Sequence, residues 1–163
     1  PEVALGAATL TAHPASGGAA EAVLNLQAVS PGLFTANSDG RGVPAAHLLR
    51  VLRDGSQALE NVFRLDPDTG RFLPAELVVG EPGEETYLIL YGTGIRGRSD
   101  VGAISALAGD TPCEVVAALA HSIYPGLDQV NLKLPPTLRG RGEITLRLAV
   151  DGRAANPVTL AFR

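Results

Sequence analysis

Near the C-terminus, three successive segments alternate apolar and polar residues with a period of two, over residues 130–134, 143–150 and 158–163. Successive side chains of a β-strand point to opposite faces, so this period predicts strands with one face in a core and the other in water. Asp151-Gly152, between the last two segments, is a typical turn sequence. The pattern predicts a β-meander whose core contains Val130, Leu132, Ile144, Leu146, Leu148, Val158 and Leu160.

Further strands are predicted upstream. Residues 85–91 (ETYLILY) are apolar in both alternating rows, which predicts a central strand covered on both faces and adds Leu88 and Leu90 to the core. Residues 59–73 predict a hairpin about an Asp-Pro-Asp-Thr-Gly turn. With 19 glycines and 12 prolines in 163 residues, the chain has little room for long helices. The other predicted strands are 2–11, 22–29, 47–53, 101–108 and 113–119; for the last two, the alanine content leaves a helix as the alternative.

Charge and composition exclude several classes of protein. The formal net charge is −4, whereas nucleic-acid binders normally carry a basic face. The longest uncharged stretch, residues 3–20, is interrupted by His, Pro and Gly, so no run predicts a membrane span. Cys113 is the only cysteine, and it cannot form an intrachain disulfide. We expect a protein without nucleic-acid partners and without membrane insertion.

Residues 92–97 (GTGIRG) fit the dinucleotide-binding pattern G-x-G-x-x-G and follow a predicted strand. Such a site also needs a helix whose N-terminus holds the pyrophosphate, followed by a parallel strand. The residues that follow carry Gly102 and Gly109 and lead into an antiparallel series. We favour a glycine-rich loop between strands and expect no cofactor.

Asp66 and Asp68 are weak candidates for a metal site, to which Asn37 and Asp39 could add oxygens. Calcium takes six to eight oxygen ligands, and no glutamate stands at the twelfth position of such a loop. The same residues also form a good turn without any metal. A turn is the favoured interpretation.

Catalytic motifs are absent from the sequence. His13, His47 and His121 lie far apart, and there is no G-x-S-x-G or H-E-x-x-H pattern. A hydrolase would need His47 or His121 close to a serine and a carboxylate. We expect a protein that is not an enzyme.

Two Arg-Gly-Arg turns are weak candidates for ligand binding: Arg96 with Arg98, and Arg139 with Arg141. At one end of a sandwich they would form a patch that attracts acidic glycans or carboxylates. The alternative is a pair of solvated turns whose arginines pair with nearby acids such as Asp100 or Glu143.

Three strings carry a family resemblance: SPGLFTANSDGRGVPAA (30–46), YLILYGTGIRGR (87–98) and residues 126–163. Together they resemble an uncharacterised C-terminal domain family of secreted Acidobacteria (Solibacter-type) proteins, over residues 28–163. Residues 78–163 are also similar to an IPT/TIG immunoglobulin-like domain. The resemblance implies a secreted or cell-surface β-sandwich and supplies no catalytic residues.

The predicted fold is therefore all-β. An Ig/TIG-like antiparallel β-sandwich is expected over residues 78–163, with additional hairpins from residues 28–77. Residues 1–27 are expected to form an N-terminal arm. Residues 80–83 (GEPG) predict a turn at the boundary between the sandwich and the hairpins.

The predicted function is that of a non-enzymatic extracellular structural or adhesion module, with other copies or surface components as partners. In a sharper form, the N-terminal arm enters a neighbour's sheet edge and the copies polymerise into a fibre. Val3, Leu5, Ala7 and Thr9 would be the inserted row of this exchange. The alternatives are that the arm pairs within its own chain or links to an upstream domain.

A carbohydrate-binding module of a secreted multidomain protein is the second functional hypothesis. Sugar platforms generally use exposed aromatic side chains, and this chain has three tyrosines, four phenylalanines and no tryptophan. Only Tyr124, beside Pro125-Gly126, is predicted to lie on a loop, so it is the candidate ligand-binding aromatic.

Overall fold

The computed structural model describes residues 4–163 as an all-β protein. Helical structure in this part of the chain is limited to two short 3-10 turns, Val101–Ala103 and Pro136–Leu138. The strands are β1 Gly6–Ala12, β2 Ala20–Leu26, β3 Gly32–Leu33, β4 Ala46–Val51, β5 Gln57–Asn61, β6 Phe63–Leu65, β7 Phe72–Pro74, β8 Glu76–Leu77, β9 Glu85–Thr93, β10 Ile104–Ala108, β11 Thr111–Ala120, β12 Asp128–Lys133, β13 Gly142–Val150, β14 Arg153–Ala154 and β15 Val158–Phe162.

Most strands belong to one curled sheet with the order β5-β4-β9-β12-β11-β10-β13-β15-β8. Strand β3 adds to β9, and β14 adds to β13. Strand β11 turns the corner, because its first residues pair with β10 and the rest pair with β12. Strands β1–β2 and β6–β7 form separate two-stranded sheets. The result is a sandwich in which β4, β9 and β12 share a core with β10, β13 and β15.

One apolar cluster fills the sandwich, and it contains the core that the alternating patterns predict. The long C-terminal strands bury one row each and expose the other, as a period of two requires. Ile144, near the start of β13, is half-buried and packs against this cluster. The fully buried predicted members are Leu88, Leu90, Val130, Leu132, Leu146, Leu148, Val158 and Leu160.

Pairings between distant strands complete the sheet. Strand β4 lies antiparallel to β9, and β8 lies parallel to β15, which makes the sheet mixed. Strands from residues 28–77 are thus joined by hydrogen bonds to strands from residues 78–163. Alternation within each strand predicts which row is buried but not which strand is its neighbour.

The prediction that residues 85–91 are covered on both faces is wrong. Strand β9 is central, with β4 on one side and β12 on the other. Its inner row, which includes Leu88 and Leu90, is fully buried, but the outer row of Tyr87, Ile89 and Tyr91 is only half-buried. The sequence is apolar on both faces, yet the described residues bury only one of them fully.

Candidate interaction surfaces

The N-terminal hairpin, β1–β2, carries an apolar row that the described residues do not cover. One face of the hairpin is entirely apolar, whereas the other mixes polar residues with Ala7 and Val23; its polar members are Thr9, Thr11, Glu21 and Asn25. On the apolar face, 56% of Leu10 and 44% of Leu24 are exposed. The apolar face consists of Gly6, Ala8, Leu10 and Ala12 on β1 with Ala20, Ala22, Leu24 and Leu26 on β2.

Within residues 4–163, neither outer edge of this hairpin pairs with a further strand, because the β1–β2 sheet has two strands there. An isolated two-stranded hairpin is at best marginally stable in water, and a free edge offers unpaired backbone groups to another chain. A further strand or layer packed on this hairpin would therefore stabilise it.

The residues predicted to enter a neighbour's sheet lie in and beside this hairpin. Leu5 precedes β1 and is exposed, while Ala7 and Thr9 pair with Asn25 and Val23 on the more polar face. Val3 lies outside the described residues. Exchange between copies stays a prediction. Since β1 is already paired with β2, the segment that enters a neighbour's sheet would be the whole hairpin or a strand released from it.

Residues 28–32, which we call the connector, run from the hairpin into β3 across the glycine-rich loop. The Ser30 N–H donates to the Gly94 carbonyl over 3.0 Å, and Val29 is buried. A Cβ atom added to Gly94 would lie 2.6 Å from the Ser30 carbonyl carbon, and one added to Gly97 would lie 3.0 Å from the Ala28 carbonyl carbon. In both cases the carbonyl oxygen would be closer still. The backbones can approach this closely only because these positions have no side chain.

Gly92 completes the series, because a Cβ atom there would crowd the Gly32 carbonyl. The three glycines of the G-x-G-x-x-G motif thus pack against alternate residues of the connector: Gly92 against Gly32, Gly94 against Ser30, and Gly97 against Ala28. No α-helix follows the loop, which leads instead into the 3-10 turn at Val101–Ala103. The glycine motif is therefore the packing site, or seat, on which the connector backbone lies. Sequence reasoning missed this role because the connector lies more than 60 residues upstream.

Arg96 helps to hold the same loop against β12. Its Nε donates to Asp128 over 2.7 Å, and the backbone N–H groups of Ile95 and Arg96 donate to the other carboxylate oxygen. Asp128 is 1% exposed, so the carboxylate spends its hydrogen-bonding capacity inside the protein. This arrangement orders the loop and leaves the carboxylate no oxygen facing a ligand.

The two Arg-Gly-Arg turns do not meet in one anion-binding patch. Arg98 follows the end of β9, beside the connector, and donates to the Ala118 carbonyl of β11. Arg139 donates to the Val79 carbonyl and pairs with Glu81, both just before β9 begins. Arg141 pairs with Asp110. The turns lie at opposite ends of β9, and their acidic partners differ from the predicted Asp100 and Glu143.

Asp66 and Asp68 build a turn. The Asp66 carboxylate accepts from the Thr69 hydroxyl over 2.6 Å and from the Asp68 N–H, and these bonds, led by the hydroxyl, lower the pKa of Asp66. Asp39 does approach the same hairpin, but it pairs with Arg71 over 2.6 Å. Among residues 4–163, no three His, Cys, Asp or Glu side chains are grouped to hold a metal ion.

The outer row of the β4–β9–β12 sheet is a second candidate surface. Tyr87 and Tyr91 stand on it, with the Gln129 and Asn131 amides beside them in β12. The two amides bind one another over 2.8 Å, and His47 meets Tyr91 edge to face. Apolar, aromatic and amide groups therefore share one half-buried face. Sequence reasoning placed the tyrosines in a covered strand and so missed this surface.

Tyr124 lies on the exposed loop between β11 and β12, as the sequence predicts, and 60% of it is exposed. Its ring lies 5.1 Å from that of His121, at an interplanar angle of 32°. The His121 Nδ1 faces the N–H groups of Ile123 and Tyr124, which fixes this geometry. The loop presents an aromatic ring to solvent on an ordered support.

Groups that could act as catalysts are dispersed in the described structure. The Nδ1 atom of His47 is buried without a hydrogen-bond partner among these residues, and His121 bonds to backbone. Cys113 lies in β11, where burial raises the pKa of its thiol and keeps it protonated at neutral pH. Neither histidine is hydrogen-bonded to a serine or a carboxylate there.

Comparison with known proteins gives no relative, because the chain matches no protein-family model, no curated protein and no solved structure. In residues 4–163 there is no helix with the length and apolar character needed to cross a bilayer. The functional argument therefore depends on the geometry of this chain.

Proposed function

We propose that this chain is a non-enzymatic extracellular structural or adhesion module that works by contact with other protein units or surface components. The observation that carries the proposal is the hairpin β1–β2, whose apolar face and two edges are not covered by residues 4–163, while the connector beside it is packed on the body. A segment held at its base and left open at its face is suited to joining two units. The extracellular setting is a part of the proposal that comes from the sequence resemblance alone, since no family model matches the chain.

The dispersal of catalytic groups supports the non-enzymatic part of this proposal. General base catalysis needs a base within about 3 Å of the group it deprotonates or of one bridging water. Neither His47 nor His121 has such a nucleophile among its hydrogen-bond partners in the described residues. The seated connector and the buried Asp128 also account for the loop that most resembled a cofactor site.

Two leucines, one in β1 and one in β13, test the contact role. Leu10 lies on β1 and is 56% exposed, whereas Leu146 on β13 is fully buried. Leu146→Ala should lower the free energy of unfolding by about 2–5 kcal/mol, whereas Leu10→Ala should change it by less than about 0.5 kcal/mol. Urea unfolding followed by circular dichroism measures both. Equal losses would mean that β1–β2 belongs to the body and has no free face to offer.

Self-assembly into a fibre is the finer form of this proposal, in which the acceptor is another copy. Light scattering on the 163-residue chain, with and without residues 4–26, tests it. A large mass that disappears with the deletion would support the fibre. A monomeric mass in both samples would remove it and leave a hairpin that joins the body to a different unit.

Carbohydrate binding is retained as a second candidate because of the exposed Tyr124 ring and, separately, the sheet face with Tyr87 and Tyr91. Aromatic rings stack on sugars and amide groups bind hydroxyls, and the sheet face carries both kinds of group. Glycan-array binding that is lost in Tyr124→Ala but kept in Phe34→Ala would support this candidate. An array without binding would remove it.

A further inference from the structure

Strands β1 and β2 repeat the pattern of β13 and β15. When the two hairpins are superposed by their pairing register, each residue of the five β13–β15 pairs lies 136 residues after its counterpart in β1–β2. At this shift Gly6, Thr9, Leu10 and Leu24 fall on identical residues. The matching pairs on the apolar face are Gly6–Leu26 with Gly142–Phe162, Ala8–Leu24 with Ile144–Leu160, and Leu10–Ala22 with Leu146–Val158.

The two hairpins differ in what covers them. In β13–β15 the apolar row is packed into the core, the β13 edge pairs with β10 and the β15 edge pairs with β8. Leu146 and Leu160 are fully buried there, whereas their counterparts Leu10 and Leu24 are exposed. The N-terminal hairpin thus has the apolar row of a closing hairpin, but the part of the chain that the structure describes holds no sandwich for it to close.

We infer that β1–β2 is the closing hairpin of a second β-sandwich of the same kind, whose other strands precede it in the polypeptide. In the body, β8 and β10, the edge partners of β13–β15, both precede β13 in the chain. The same order places the strands that would receive β1–β2 upstream of Gly6. This inference rests on the proposed contact role of the hairpin and names its partner.

A second copy is the weaker acceptor. Its equivalent place is already filled by its own β13–β15, which brings Ile144, Leu148 and Phe162 to the core. The N-terminal hairpin would bring the smaller Ala8, Ala12 and Leu26 to the same positions. Exchange between copies would therefore replace more buried apolar surface by less, which opposes it.

The connector gives this arrangement a further consequence. Only Gln27 separates the end of β2 from the seated residues 28–32. A flexible tether between two domains requires a run of unconstrained residues, and none is available here. The upstream sandwich should therefore be held in a fixed orientation relative to the body.

Cysteine labelling tests the identity of the acceptor, with Cys113→Ser as background. Leu24→Cys lies on the apolar face, and Val23→Cys, on the other face of the same strand, is the matched control. Both should react rapidly with a maleimide in the 163-residue chain. In the protein carrying the residues that precede it in its gene, Leu24→Cys should react about 100-fold more slowly and Val23→Cys should be nearly unchanged.

Unchanged labelling of Leu24→Cys in the longer protein would overturn the inference, as would a gene that encodes no β-rich unit upstream. Light scattering that shows the 163-residue chain associating through its hairpin would also overturn it, in favour of a second copy. These failures differ from failure of the contact role itself, which would appear as a large stability loss in Leu10→Ala.

A graft tests whether the hairpins are equivalent. Residues 6–26 replace residues 142–162 in the full chain, with Ala8→Ile, Ala12→Leu, Ala22→Val and Leu26→Phe added to restore the size of the row and Pro14→Val added to restore the strand. This graft should unfold cooperatively in urea, whereas the same graft with Leu10→Lys and Leu24→Lys should not. Loss of cooperativity in both grafts would overturn the equivalence on which the inference depends.

Discussion

Gly97→Ala probes the seat of the connector without disturbing backbone conformation. Gly97 lies outside the left-handed region, so alanine is compatible with its φ angle. The added Cβ would lie 3.0 Å from the Ala28 carbonyl carbon, whereas carbon atoms in ordinary contact are about 3.5–4.0 Å apart. The connector must therefore retreat by at least roughly 0.5 Å, and further to clear the carbonyl oxygen.

The expected cost follows from what the retreat disrupts. Overpacking of this kind costs about 1–3 kcal/mol. If the connector lifts away, loss of the hydrogen bond from Ser30 to Gly94 costs about 1 kcal/mol more, and partial exposure of Val29 costs roughly as much again. Reduced freedom of the unfolded chain returns about 0.4–1 kcal/mol. With the connector lifted away, we expect a net loss of about 2–4.5 kcal/mol in the free energy of unfolding.

Urea unfolding monitored by far-ultraviolet circular dichroism measures this loss. Gly32→Ala is the matched control, because Gly32 lies in the connector with ordinary φ and the nearest atom to an added Cβ is Asn156 Oδ1 at 3.9 Å. The control should change the free energy of unfolding by less than about 1 kcal/mol. A loss below about 0.5 kcal/mol in Gly97→Ala would refute the close approach that we assign to the motif.

Three further measurements test other parts of the structure. Asp128→Ala leaves two backbone N–H donors and the Arg96 guanidinium without their buried acceptor, so it should lower the free energy of unfolding in urea by about 3–5 kcal/mol. Arg141→Ala breaks an exposed ion pair and should lower it by less than about 1 kcal/mol. Equal losses in the two variants would contradict the buried role of Asp128. Cys113 should resist Ellman's reagent in the native protein and react fully in denaturant, since burial raises the pKa of its thiol; rapid native labelling would show that β11 opens. Thr69→Val should raise the pKa of Asp66 toward its ordinary value in an NMR titration, because the hydroxyl is the main cause of its lowering. A lowered pKa stabilises the fold above the unfolded value and loses that effect as the pH falls through the folded value, so Thr69→Val should destabilise at neutral pH and be neutral in strong acid.

The alternation of apolar and polar residues was sufficient to predict the buried row of strands whose other face is exposed to solvent. Val130, Leu146 and Leu160 fall in rows whose neighbours are polar, so burial follows from a period of two. The same rule misjudged β9, because Tyr87 and Ile89 are apolar without being fully covered. Apolar character alone does not distinguish a core face from an exposed contact face.

Long-range pairings were beyond the sequence for a different reason. The glycine motif at residues 92–97 is explained by a connector more than 60 residues upstream, and Arg96 is explained by Asp128. Neither partner leaves a mark near the motif. The hairpin repeat did leave a mark, since Thr9-Leu10 and Thr145-Leu146 stand at equivalent positions, but only the pairing register fixes the shift that aligns them.

Hydrogen exchange on the monomeric 163-residue chain tests the central claim most directly, by comparing amides of β1–β2 with those of β13–β15. Two strands without a covering layer should open freely, so the β1–β2 amides should exchange with little protection, while β13–β15 amides are retained until the body unfolds. Equal protection of both hairpins in the monomer would contradict the account, because the N-terminal hairpin would then be complete without any partner.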